Sequence, residues 1–532
     1  MVNGCRSTRL KRTETSWGGR MGAGKFFVRL PVYVAFIAML TAGCSDSTVP
    51  QGVADSNRDS SPVAVTAPAP VDMVIQGGYL LDMVSDNPSP VPIKGLVIID
   101  GKINKIIPAD SSEPLPAAIK TIDASSLYIL PGLIDSHVHF HPWTHDASVW
   151  RRGNLHYGVT TIVDTGPSGA ADHCTGDLDK CEKPDPNEWI VEFKEFLNNS
   201  PESNGPTLYI TGIKLDEASS EYQFSSHRFQ SLDEIPKYID YLVSLGVDAI
   251  KAEKGLSVEY RKKIIEEAGR HGLMVVGHSK DARESISVGM RFIEHMWPIS
   301  HSLADEGAPE DFDSPDQDYL MNLDKAPDLI KLMVDNGVYL NPTLVGRYGD
   351  LSERASSFIA EDEALLKFGQ IYSIGLGNPD RLYERVLSDF KLPENIDASE
   401  LQRLREGYTK VQSFLKLFSE AGGLVITATD NTMTKLPGIT MHREMQLLVD
   451  AGVSPGRVLL GATRFPAEML RKNDLIGTIE TAKQADMLLL GSNPVVDIAN
   501  SKDIQYVIRK GKMVSAGDQC SVILPPVSQT CK

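Results

Sequence analysis

Residues 132–140 read GLIDSHVHF, an apolar run that ends in two histidines two positions apart. Alternate residues of a strand share a face, so His137 and His139 point the same way from its end. Seven more short apolar runs follow: 159–164 VTTIVD, 207–213 TLYITGI, 248–253 DAIKAE, 273–278 LMVVGH, 291–295 RFIEH, 338–344 VYLNPTL and 423–430 GLVITATD. Longer amphipathic segments lie between them, with helices expected at 233–245, 258–270 and 441–451. Eight strands alternating with crossover helices predict an α/β fold, a (β/α)8 TIM-like barrel over 131–470. A doubly wound open sheet competes, but the chain has no Gly-rich phosphate turn after a strand.

Outside the barrel the texture changes. Residues 72–130 and 471–518 are short β-runs broken by turns, and the two stretches predict one small β-sandwich domain built from both chain ends. Residues 519–532 form a C-terminal tail. Within the barrel, 346–420 is long, charged and helix-rich, and at the C-terminal face it would form a lid. The competing reading of 346–420 is a packing extension.

The start of the chain is of another kind. Residues 1–44 carry seven Lys/Arg and one acid, Glu14, although the whole chain has 53 Lys/Arg against 70 Asp/Glu and a net charge of −17. So acidic a body excludes a nucleic-acid binder, which needs a basic face. Lys25 and Arg29 precede the uncharged run 30–43, LPVYVAFIAMLTAG, and then Cys44. A basic region followed by a short apolar one reads as an export signal, because a membrane span takes about 20 apolar residues. LTAGC resembles the lipobox of bacterial lipoproteins, which implies lipidation at Cys44. Thr41 departs from the larger aliphatic usual there, and plain cleavage after Gly43 is the alternative. Residues 45–71, rich in Ser, Pro and Ala, read as a flexible linker. The expected location is periplasmic, tethered to a bacterial membrane. There Cys174 with Cys181, and Cys520 with Cys531, are the simplest disulfide pairs; a zinc knuckle would need other spacings.

The chemistry gathers at strand ends. Beyond His137 and His139, Lys251 closes DAIK within the fourth run, His278 closes the fifth, His295 the sixth and Asp430 the eighth. A polar residue ending an apolar barrel strand lies on the face where barrel active sites form, and burial there is costly unless it is paired or metal-bound. His141 and His145 follow in the next loop, and Lys254, Arg347 and Tyr348 lie just past strand ends, where they could take an anionic substrate group. Tyr157, Asp164 and His442 read as structural.

The text LPGLIDSHVHFH, YGVTTIVDTG, DAIKAEKG, GHSKDA, FIEHM, NPTLV, ITATDN and HREMQLLVDAGVSP resembles the amidohydrolase superfamily, in its imidazolonepropionase-like and prolidase-like branch. The resemblance spans about 72–515. It implies a metal-dependent hydrolase with His137, His139 and Asp430 on one divalent ion and His278 and His295 on a second. Lys251 would bridge them as a carbamate derived from carbon dioxide. Zinc suits the donor set, and a metal-bridging hydroxide would attack, with Asp430 as general base and acid. The substrate would be a small amide: a dipeptide, another peptide-like molecule or an N-acyl amino acid. His141, Lys254 and Tyr348 are the candidate substrate contacts. The alternatives are a mononuclear cyclic amidohydrolase or deaminase and a non-catalytic periplasmic binding lipoprotein. A homo-oligomer stays open. Trp297 and Pro298 stand where the family commonly has smaller residues, and the 346–420 segment is unusually elaborate.

The export reading has a direct check. Cys44→Ser should move the protein from the membrane fraction to the soluble periplasmic fraction, and a wild type that is already soluble there would refute lipidation.

Overall fold

The structure is a computed structural model, and it describes residues 69–140, 148–167, 186–200, 203–220, 226–306, 315–368, 386–432 and 435–514. The leader, nearly all of the linker, all six cysteines, His141, His145 and the final tail lie outside the described residues.

Each of the eight expected barrel strands is present. They run Leu133–Val138, Val159–Asp164, Thr207–Ile210, Ile250–Ala252, Val275–Gly277, Phe292–Glu294, Tyr339–Asn341 and Leu424–Val425. They lie in three hydrogen-bonded arcs with parallel pairing throughout: first to third, fourth to fifth, and sixth to eighth. The end of the eighth run returns to the first through a parallel bridge between Val138 and Asn431, with the His139 N–H donating to the Asn431 carbonyl at 3.0 Å. The parallel sheet therefore curls on itself. Two more strands, Lys214–Glu217 and Ser226–Phe229, extend the arc of the fourth and fifth strands and were not anticipated from the sequence.

The helices follow the expected amphipathic pattern. Val258–Arg270 matches its predicted span, with Ile264 and Ala268 buried; Ile235–Ser244 buries Ile239 and Leu242. The third, Ile439–Asp450, begins two residues before its predicted start and is buried along nearly its whole length. In the 346–420 segment two helices are described, Ala355–Phe368 and Ala398–Glu420. The latter starts at Asp397, whose side chain accepts from the Ser399 and Glu400 N–H groups. It buries Val411, Phe414, Leu415 and Phe418 in the main core. Arg443, itself buried, pairs with Glu361 and Asp362 and so ties Ala355–Phe368 to Ile439–Asp450.

Both chain ends do meet in one β-structure. Met487–Leu490 pairs antiparallel with Tyr128–Pro131 in one nine-stranded sheet, eight strands along a single path and Lys102–Pro108 branching from Val91–Ile99. Its pairing alone does not divide it into the two facing layers of the expected sandwich. Ile75, Ile98, Ile129, Met487, Leu489 and Ile508 share its core. Among the described residues no helix is long and apolar enough to cross a membrane.

Gly277 ends the fifth strand at φ 137°, and a Cβ there would collide with the Ala252 carbonyl beside it. Gly246 has φ 75° with open space around it. Gly277→Ala should therefore destabilise by about 2–4 kcal/mol, combining backbone strain and overpacking. Gly246→Ala should cost about 1 kcal/mol from strain alone. Urea unfolding midpoints of the two variants check the difference.

Candidate metal centre

The curl brings the strand ends together. His137 and His139 Nε2 are 3.2 Å apart, and Asp430 Oδ1 lies 3.4 and 3.3 Å from them. His278 and His295 Nε2 are 3.0 Å apart, and Asp430 Oδ2 is 3.9 Å from His295. All four imidazoles thus turn Nε2 inward. Donors about 2.05 Å from a tetrahedral ion stand roughly 3.3 Å from one another, so these separations suit a common cation.

The outer nitrogens explain that orientation. His139 Nδ1 meets the Gly166 carbonyl at 2.8 Å, His278 Nδ1 meets Glu253 at 2.8 Å, and His295 Nδ1 meets the Thr343 hydroxyl at 2.6 Å. His137 Nδ1 lies 3.1 Å from the Asn341 amide. The Asn341 amide oxygen is buried without a partner, and turning that amide over seats its oxygen on a His137 Nδ1–H. Each ring is then held by its outer nitrogen, as metal-bound histidines are.

Local backbone places the ends. His295, Thr343 and Asp430 all have positive φ, at 63°, 49° and 50°, so the chain kinks as it leaves the sixth, seventh and eighth strands. Asp135, on the first strand, accepts from the Thr429 hydroxyl at 2.6 Å and the Thr429 N–H at 3.1 Å. Burial pushes its carboxyl up to about 7 against those bonds. The buried Glu444 accepts the Leu344 and Val345 N–H groups at 2.9 and 2.6 Å and fixes the turn that carries Thr343. Burial also pushes His137 and His295 well below the usual imidazole range. Burial would raise Asp430, but the histidines around it hold its carboxyl well below the usual range.

Lys251 is fully buried among these groups and pairs with Glu294. Glu294 was missed in the sequence. Its carboxylate lies 3.6 Å from His137 Nδ1 and 3.4 Å from His278 Nε2, and it shares a potential metal-holding group with His137, His278 and His295. The alternation rule puts Glu294 and His295 on opposite faces. The kink at His295 lets both approach the same cavity. A signal was present: a carboxylate inside the run FIEH is costly unless something pairs with it.

The remaining candidates fall at different distances from this cluster. Tyr348 is buried and its hydroxyl donates to Asp318 at 2.8 Å. Lys254 and Arg347 approach the Trp297 ring, at 5.3 and 5.6 Å from its centroid. The structural readings agree with the geometry: Asp164 accepts the Phe140 and Gly166 N–H groups, and His442 meets Ser501 and the Tyr157 carbonyl.

The model of the amidohydrolase family matches residues 128–514. The chain belongs to the amidohydrolase family. Its strand ends carry a His/Asp cluster that could hold a metal ion. This amidohydrolase is 35% identical over 122 residues to adenine deaminase 2 of Rhizobium johnstonii, a match covering 22% of this chain and 20% of that one. The match thus spans only about a fifth of that curated relative. Among solved structures, a Xaa-Pro dipeptidase with bound methionine shares 20% identity, over 83% of this chain and 99% of the other, at TM-score 0.55. An A. niger ochratoxinase shares 18% over 84% and 96%, at TM-score 0.56. These likenesses support the barrel fold.

Removing an outer partner should loosen the metal without removing a ligand. Glu253→Gln is expected to weaken metal affinity about 10–100-fold. Competition against a chelator checks it, and unchanged affinity would show that Glu253 does not orient His278.

Proposed function

We propose that this amidohydrolase is an exported, two-metal enzyme that hydrolyses the C–N bond of small amides, peptide-like or N-acyl amino acids. The observation that carries the reading is the convergence of the His137, His139 and His295 Nε2 atoms on Asp430, with His278 Nε2 3.0 Å from that of His295 and Lys251 buried beside them. His137, His139 and Asp430 would hold one divalent ion, and His278 and His295 the other, with zinc favoured by the nitrogen and oxygen donors. Bound there, the ions would supply a water nucleophile at neutral pH and polarise the scissile carbonyl.

The chain's own residues account for the rest. Asp430 turns Oδ1 to His137 and His139, which leaves Oδ2 to take the proton of the attacking water and pass it to the leaving amine. Lys251 would carry the carbamate. Its neutral amine bonds to the carbon of carbon dioxide and releases a proton, a step favoured when neighbouring cations discourage the ammonium. Glu253 and Thr343 keep His278 and His295 turned inward throughout. Export and anchoring at Cys44 rest on the leader sequence.

One observation favours a second reading. Lys251 pairs with Glu294, and an ammonium held in that pair would leave a single ion on His137, His139, His278 and Asp430, as in a mononuclear cyclic amidohydrolase or deaminase.

Metal content separates the two. The wild type should bind two ions per chain, and Lys251→Ala one. Added acetate or propionate should restore part of the second ion and part of the activity by filling the vacated space. One ion in both proteins would establish the mononuclear reading, and none would leave a binding protein.

A further inference from the structure

A cavity of about 540 Å³ opens beside the cluster, with His295 and Asp430 in its wall. Trp297 also lines it, its ring 4.5 Å from the His295 ring and 5.6 Å from that of His278. Whatever touches this indole therefore sits next to the reacting centre. Two cations converge on it, Lys254 and Arg347, from the ends of different strands. Lys254 is only 8% exposed. Arg347 is aimed by Asp318, 3.6 Å from its Nε, and Asp318 is in turn held by Tyr348 at 2.8 Å and Ser300 at 2.5 Å. A long side chain held at the cavity wall as Arg347 is has already lost the entropy that binding would otherwise cost.

A third donor completes the arrangement. The Trp297 Nε1–H is buried without a hydrogen-bond partner among the described residues. A buried N–H without an acceptor is expensive, so a ligand oxygen there would recover that cost. The rest of the wall is of two kinds. Leu351, Leu392, Ile396 and Leu404 make it apolar, while Asp350 and Glu400 add two carboxylates. The acids would repel a second negative charge on the ligand.

Resting on the two-metal amidohydrolase reading, we propose that the substrates are amides carrying one free carboxylate and an apolar side chain. Lys254, Arg347 and the Trp297 N–H receive the carboxylate, and the aliphatic wall takes the side chain. Trp297, where the family commonly has a smaller residue, is the specificity-determining position. Tyr348 acts through Asp318 as a positioning residue.

The test uses the metal-loaded enzyme with N-acetyl-, N-benzoyl- and glycyl-L-leucine. Each is paired with its decarboxylated counterpart, the same acyl group on 3-methylbutylamine. The acids should exceed the neutral amides by about 100-fold in kcat/KM, the effect of charge-assisted hydrogen bonds made in a desolvated site. N-acetyl-L-glutamate should be poorer than N-acetyl-L-leucine. Arg347→Met should reduce the acid preference to a few-fold, Arg347→Lys should restore part of it, and Trp297→Phe should lower it by about 10-fold while keeping the ring. Should Arg347→Met fail to fold, Lys254→Met tests the same preference from the other strand. Equal turnover of acids and neutral amides overturns the proposal. Turnover confined to uncharged substrates, adenine included, overturns it too but leaves the hydrolase standing. Two bound metals with no turnover of any of these compounds would overturn the proposal and the reading beneath it.

Discussion

Asp135 on the first barrel strand and Thr429 just past the eighth are 294 positions apart, yet their side chains meet at 2.6 Å. With the Val138–Asn431 bridge, this contact joins the last parallel strand to the first. The metal cluster depends on that seam. His137 and His139 leave one side of it and Asp430 the other, and without it Asp430 would not stand 3.3–3.4 Å from the two imidazoles. A buried carboxylate is an expensive way to close a sheet, and Asp135 is sustained there because the Thr429 N–H and hydroxyl and the His137 N–H donate to it. The seam and the site are one structure.

The same economy governs the rest of the cluster. Four imidazoles, two carboxylates and a lysine are crowded into an interior where charges are poorly solvated. Three of the imidazoles are held from behind, His139 by Gly166, His278 by Glu253 and His295 by Thr343, while Lys251 and Glu294 pair with each other. Such backing fixes the rings before any metal arrives, so little reorganisation accompanies binding. His295, Thr343 and Asp430, the described non-glycine residues with left-handed backbone just past barrel strands, fit the general pattern in which backbone strain is stored at functional sites.

The elaborated segment after the seventh strand is built into this scaffold. Arg443 reaches its helix Ala355–Phe368, and Glu444, the next residue, holds the turn that presents Thr343 and Arg347. One helix, Ile439–Asp450, therefore supports both a metal-ligand partner and a wall of the cavity. Leu392, Pro393, Ile396, Glu400 and Leu404 then line that cavity, beside His295 and Asp430, so the segment shapes the space over the cluster.

The sequence by itself determined the order of strands and helices. Alternating apolar runs and amphipathic segments are local properties of the chain, and all eight strands lie where those runs fall. It also determined which polar residues would face the barrel mouth, because a costly residue at the end of an apolar strand needs a partner there. His137, His139, Lys251, His278, His295 and Asp430 were legible for that reason. Only the tertiary structure decided the partners. Glu294 was hidden by strict alternation, and its place in the cluster follows from the kink at His295, which periodicity does not encode. Glu253, Asn341 and Thr343 are ordinary polar residues in sequence, and they acquire a role only because the curled sheet sets each against one imidazole. Trp297 stood out early as too large for its position. That it meets two cations from distant strand ends is a fact of three-dimensional packing, since no local rule brings residues 254, 297 and 347 together.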